Sequence, residues 1–94
     1  MRPYEMMILV NADHEEPKEE VSKVEEVVRS LGGELSKTDI WGKRKLAYPV
    51  NEHTDGFYAV MTFKLNPDEI TELERLLSLR QNVHRQMIVR LDEE

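Results

Sequence analysis

The chain has no cysteine. That excludes disulfides, thiolate nucleophiles and cysteine-ligated zinc. Aromatic residues are scarce too, with one tryptophan, three tyrosines and two phenylalanines, so each marks either a core position or a stacking surface. No apolar run approaches the roughly 20 residues that cross a bilayer. The opening "MRPYEMMILVNADHEE" carries one cation, a short alternating apolar run and then acids. Without a small-residue cleavage site it reads as a strand kept in the mature protein rather than as a leader. The four glycines form no phosphate-cradling loop, because Gly32-Gly33 follows a helical pattern instead of a strand.

What is present suits one small domain. Ninety-four residues with a 39% hydrophobic fraction allow a single packed core. The formal net charge is −6, which argues against coating nucleic acid through overall charge. That total conceals an uneven distribution. Fourteen of the nineteen acidic residues fall within Asp13–Glu26, Asp68–Glu74 and the terminal Asp92-Glu93-Glu94, so the cations are concentrated elsewhere.

Residues 4–11, "YEMMILVN", are apolar at both parities, as in a central strand covered on both faces. Asp13 to Glu16 offer helix caps and Pro17 fits the first helical turn, where its missing N–H costs nothing. Val21, Val24, Val27, Val28 and Leu31 then recur at helical spacing, and Gly32-Gly33 supplies a left-handed stop. A long strand is expected over 34–50, with Gly42 marking a bulge or bend and Pro49 an edge position. Residues 51–56, "NEHTDG", read as a turn. Residues 57–65 alternate as a strand, with Phe57, Ala59, Met61, Phe63 and Leu65 on its apolar side. Asn66 and Pro67 open a second helix whose stripe is Ile70, Leu73, Leu76 and Leu77. Residues 83–91 form the last strand.

The order β-α-β-β-α-β predicts an α+β, ferredoxin-like fold: a four-stranded antiparallel sheet with two helices on one face, spanning 1–94 as one domain. In such a fold most acids lie on the helices and the tail. Arg2, Lys37, Lys43, Arg44, Lys45, Lys64, Arg85 and Arg90 lie on strands or their ends. The helix side is therefore expected to be acidic, and the sheet with its long hairpin basic.

Catalytic chemistry finds no support. The serines fall on helices or early in a strand, away from any base. His14, His53 and His84 are far apart in sequence and read as surface residues. "DHEE" at 13–16 has ligand-type side chains in an order ordinary for a helix start, so no metal and no cofactor is expected. The run Lys43-Arg44-Lys45 between Trp41 and Tyr48 is more pointed. It fits a grip on phosphate beside a stacked base, and equally the protection of an exposed strand edge.

Three stretches carry a resemblance: "MRPYE", "DIWGKRKLAYPV" and "SLRQNVHRQMIVR". Together they resemble the bacterial small-subunit ribosomal protein six family, in order and spacing from Met1 to about Arg90. The resemblance implies the fold just derived, no enzymatic activity and a place in the cytoplasmic ribosome. It also implies binding to the central domain of small-subunit (16S) ribosomal RNA beside a small basic partner, ribosomal protein eighteen. Arg2 and Tyr4 match the family's N-terminal motif, Lys43, Arg44, Lys45 and Tyr48 its hairpin motif, and Arg85 and Arg90 its basic last strand. These eight are the expected RNA-binding residues. Met7, Leu9 and Trp41 are expected to meet the protein partner. The alternative is a small ferredoxin-like ligand-sensing or protein-interaction module.

Overall fold

In the computed structural model the backbone is described for residues 1–12, 16–50 and 53–91, and the side chains of 46–50 and 53–54 are outside the description. The elements run β1 (Arg2–Asn11), α1 (Pro17–Ser30), β2 (Glu34–Val50), β3 (His53–Leu65), a short 3-10 turn (Pro67–Glu69), α2 (Ile70–Ser78) and β4 (Val83–Arg90). The strands form one sheet in the order β2-β3-β1-β4, every neighbouring pair antiparallel. This is the ferredoxin-like arrangement expected from the element order.

Parity assigns the faces. On β1, Tyr4, Met6, Ile8 and Val10 are buried. They pair across to Phe63, Met61, Ala59 and Phe57 of β3, which are buried as well. Val21, Val24 and Val28 of α1 and Leu73 and Leu77 of α2 close this core. Both helices thus cover one face, because each offers a single apolar stripe. The other face, with Met7 and Leu9, has no helix over it. The expectation that β1 is covered on both sides holds for only one of them.

The helix ends follow local chemistry. Gly32, at φ +86°, is the left-handed residue after α1. Its N–H donates to the Arg29 carbonyl and that of Gly33 to the Val28 carbonyl, both at 3.0 Å, a Schellman closure. A Cβ on Gly33 would sit 2.9 Å from the Val28 carbonyl oxygen, so the second glycine is required for close approach rather than for its φ. At the start of α1, the capping position falls to Glu16, whose side chain makes no cap bond; Pro17 sets the first turn. Asp13–Glu15, also expected as caps, lie outside the described residues. Asn66 behaves as expected, accepting the Asp68 N–H on its side-chain oxygen at 3.0 Å.

One expectation fails in the hairpin. Residues 53–56 belong to β3 rather than to a turn. Gly56 still pairs with Asn11 at the end of β1, and the residues before it pair with β2 alone. The start of β3, His-Thr-Asp at 53–55, is polar in sequence and offers no apolar alternation, which is why the pattern did not reveal it.

A partly buried ion pair ties α1 to the connection between α2 and β4. Glu20, 2% exposed, accepts from the Arg80 guanidinium through both carboxylate oxygens. That hydrogen bond raises Arg80 above its ordinary value, against partial desolvation, with Glu26 adding a smaller attraction. Removing either partner has unequal consequences. Arg80 is half-buried and reaches water; Glu20 does not. Arg80→Ala is therefore expected to cost on the order of 3 kcal/mol, and Glu20→Ala less, in denaturant unfolding.

Candidate nucleic-acid interface

The hairpin is the most prominent cationic feature. β1 ends at Asn11, paired with Gly56, while β2 and β3 continue past that row through Lys45–Asp55 to Val50–His53. Lys43, Arg44 and Lys45 are all exposed there. Their ties are weak. Lys43 Nζ stands 3.9 Å from Asp55 with both side chains largely solvated, a contact worth little. Arg44 donates to the neighbouring Lys43 carbonyl at 3.2 Å. Such cations give up little bonding within the chain to meet a phosphate.

Their directions depend on a bulge. Ile40 pairs with Ala59 and Gly42 with Tyr58, leaving Trp41 as the extra residue. Gly42 absorbs it at φ +85°, as the sequence suggested for this glycine. An earlier irregularity leaves Ser36 extra between Leu35 and Lys37. Because side chains alternate, each insertion reverses the parity that follows. Lys43, opposite Phe57, therefore points to the helix side, as does Lys45, while Arg44 opposite Gly56 points to the open side. The three cations straddle the hairpin and form no single row.

The other expected RNA-binding residues divide into groups. Arg85 pairs with Leu9 on the open face, near the hairpin end. Arg90 pairs with Tyr4 and takes the opposite face. Arg2 pairs with Leu65 at the far end of β1, nine residues or about 30 Å from Asn11. Arg2 and Arg90 are exposed and both engage other groups of the chain. Tyr4 needs correcting. It is only 6% exposed, and its ring stacks on Phe63 at 5.9 Å inside the core, so its face is spent on packing. Its parity with Met6, Ile8 and Val10 dictated this. The Tyr48 side chain lies outside the described residues.

Met7, Leu9 and Trp41, expected to meet a protein, do share the open face. Met7 and Leu9 line a groove of about 320 Å³ with Tyr58, Arg85, Gln86 and Met87. Met7 and Trp41 line an adjoining one of about 130 Å³ with Glu5, Val60, Met87 and Val89. Leu9, at 5% exposure, is floor rather than contact surface. Tyr58, Val60, Met87 and Val89 were missed. Their signal was the odd parity they share with Met7 once β3 and β4 are paired to β1.

The charge map holds only in outline. The helices carry an excess of acids and the strands an excess of cations, yet Glu5, Glu34 and Asp39 also face the open side. His84 is half-buried rather than on the surface; His14 and the His53 side chain lie outside the described residues. Among the described residues no group of three His, Asp or Glu is placed to hold a metal.

The comparisons with known proteins decide the family. The family profile described as Ribosomal protein S6 matches residues 3–90. The chain belongs to the ribosomal protein S6 family. Among its relatives, the small ribosomal subunit protein bS6 of Acidothermus cellulolyticus is 44% identical, covering 98% of each chain. That of Arthrobacter sp. (strain FB24) is 42% identical, covering all of this chain and 95% of its own. The crystal structure of 30S ribosomal protein S6 from Thermotoga maritima superposes with a TM-score of 0.86 at 26% identity, covering 95% of this chain and 86% of its own. The chemotaxis kinase CheA P2 domain, in a complex from the same organism, reaches a TM-score of 0.67 at 12% identity over 96% of this chain and 98% of its own; that shows a shared fold alone.

Tyr4 provides a test of the core assignment. Tyr4→Phe should leave RNA affinity unchanged, whereas Tyr4→Ala should cost about 3–5 kcal/mol of stability. Filter-binding and urea unfolding on the same preparations would check both. A loss of affinity in Tyr4→Phe at full stability would return Tyr4 to the interface.

Proposed function

We propose that this chain is a structural component of the small ribosomal subunit in the cytoplasm, binding ribosomal RNA without catalysing a reaction. The hairpin carries the proposal: three exposed, weakly tied cations where β2 and β3 run past the end of β1, Lys43 and Arg44 on its last two rows and Lys45 just beyond. Lys43, Arg44 and Lys45, on both sides of that hairpin, grip phosphates of the central domain of 16S ribosomal RNA. Arg85 adds a contact about 14 Å across the sheet, three strand spacings away. Arg2 and Arg90, at the other end, meet a separate RNA segment. Ribosomal protein eighteen docks on the open face over Met7 and Trp41, with Leu9 as the floor. RNA-binding proteins of this size use phosphate contacts for affinity and shape for placement, and need no reactive site.

Changing Lys43, Arg44 and Lys45 together to Ala should weaken RNA binding while the circular dichroism spectrum stays unchanged. Each lost contact should also flatten the log–log salt dependence by about 0.7–0.9. Unchanged affinity and slope would assign the run to edge protection instead.

The same reading makes the partner matter. With few cations at each end and a −6 chain, phosphate contacts alone give dissociation constants on the order of 10⁻⁴ to 10⁻⁶ M at physiological salt. Titrating central-domain RNA with this protein should show markedly tighter binding when ribosomal protein eighteen is present. Equal affinities in both series would contradict co-binding.

A further inference from the structure

Strand parity divides the hairpin cations between two opposite faces. On the helix side, Lys43 and Lys45 stand two residues apart on β2, about 7 Å along the strand. Lys43 leans inward, its Nζ 3.9 Å from Asp55 of β3. Asp55 also lies opposite Lys45, and one carboxylate neutralises only one of the two lysines. On the open side, Arg44 folds back along its own strand. Its guanidinium donates to the Lys43 carbonyl at 3.2 Å, and one guanidinium nitrogen would stand 4.0 Å from a Cβ on Gly42. Lys43 and Arg44 therefore lie over the two faces of the strand pair and not off the outer edge of β2. Arg85, on the Leu9 row, shares the open face with Arg44, on the Asn11 row. Neither row carries an acidic side chain on that face among the described residues, since Glu5, Glu34 and Asp39 lie on rows farther from the hairpin.

We infer that the hairpin end is a spacer between two separate stretches of RNA backbone. Lys43 and Lys45 bind phosphates of one, and Arg44 and Arg85 bind phosphates of the other. This rests on the reading of the hairpin as an RNA contact and adds that RNA lies on both of its sides. Thickness carries the step from two faces to two backbones. Side-chain layers on opposite faces of a strand pair hold their charged heads about 10 Å or more apart. The major groove of A-form RNA is deep and narrow, closed to a pair of strands. Its minor groove is wide but shallow, so a strand pair resting there meets phosphates on one face only. One regular duplex thus supplies one of the two sets, and the other comes from a second segment.

The spacing on each face suits a backbone that crosses it. Lys43 and Lys45 are close enough for neighbouring phosphates, whereas Arg44 and Arg85, about 14 Å apart across the sheet, take more distant phosphates of one strand. Two backbones brought this near each other repel, and cations on both faces of the spacer lower that cost. The chain then joins two RNA segments instead of clamping one.

Because the chain has no cysteine, a single reactive site can be placed on either face. Full-length Lys45→Cys and Arg44→Cys chains, each carrying a short aryl azide, are assembled into small subunits and the crosslinked nucleotides mapped by primer extension. Lys45→Cys should mark one RNA segment and Arg44→Cys another, with no nucleotide shared, and Arg85→Cys should mark the Arg44→Cys segment. Hydroxyl-radical footprinting needs no reagent on the protein. There, Lys43→Ala with Lys45→Ala should lose protection of the first segment alone, and Arg44→Ala with Arg85→Ala that of the second alone. One continuous segment marked from both faces would mean a single backbone wrapping the outer edge of β2; the inference then falls while RNA binding by the hairpin stands. RNA marked from one face only, with the other meeting protein, overturns the inference in the same way. Crosslinks to no RNA from any of the three positions overturn both readings.

Discussion

Two short helices can cover one face of a four-stranded sheet, and the remaining organisation of this chain follows from that limit. α1 and α2 present one apolar stripe each, and both stripes are consumed by the even-numbered residues of β1 and the odd-numbered residues of β3. The odd-numbered residues of β1 are left without an intramolecular lid. Burial of Leu9 is achieved only by its neighbours in the sheet, and Met7 remains half-exposed. At about 25 cal/mol per Å², leaving such a patch in water forgoes a gain that a docked protein would recover. The open face is thus a surface that gains by being covered. The hairpin presents exposed cations instead.

These two surfaces are kept apart by length and by parity. β2 and β3 outrun β1, and the cations sit at that end of the sheet, Lys43 and Arg44 on the Val10 and Asn11 rows and Lys45 one row farther, all beyond the Leu9 row that closes the grooves. The extra residue at Trp41 does two things at once. It brings the indole onto the open face beside Met7, and it turns Lys43 and Lys45 toward the helix side. Without that insertion, alternation would put Lys43 and Lys45 on the open face and Arg44 behind it. Gly42 is the residue that permits this, since a side chain at φ +85° would be strained.

Much of this was legible before any coordinates. The valine spacing of α1 and its double-glycine stop, Asn66-Pro67 ahead of α2, and the alternation of 57–65 are local signals whose physics is local, and they determine the element order. The family resemblance rested on quoted residues and agrees with the profile match over 3–90. What could not be read concerns facing and distance. Bulges at Ser36 and Trp41 change parity without changing composition. The polar start of β3 offers no apolar alternation. Glu20 and Arg80 are separated by 60 positions, so their pairing has no sequence signal. Tyr4 is different: its parity already placed it among core residues, and the motif it shares with the family drew it toward RNA instead.

The central claim is that RNA is met at the tip and flanks of the hairpin, away from the helix layer. Ultraviolet crosslinking of assembled small subunits, followed by mass spectrometry of the crosslinked peptides, addresses it directly. RNA adducts should concentrate on the peptide containing Lys43, Arg44 and Lys45, with α1 and α2 free of them. Adducts concentrated on the helices, with that peptide unmodified, would contradict it.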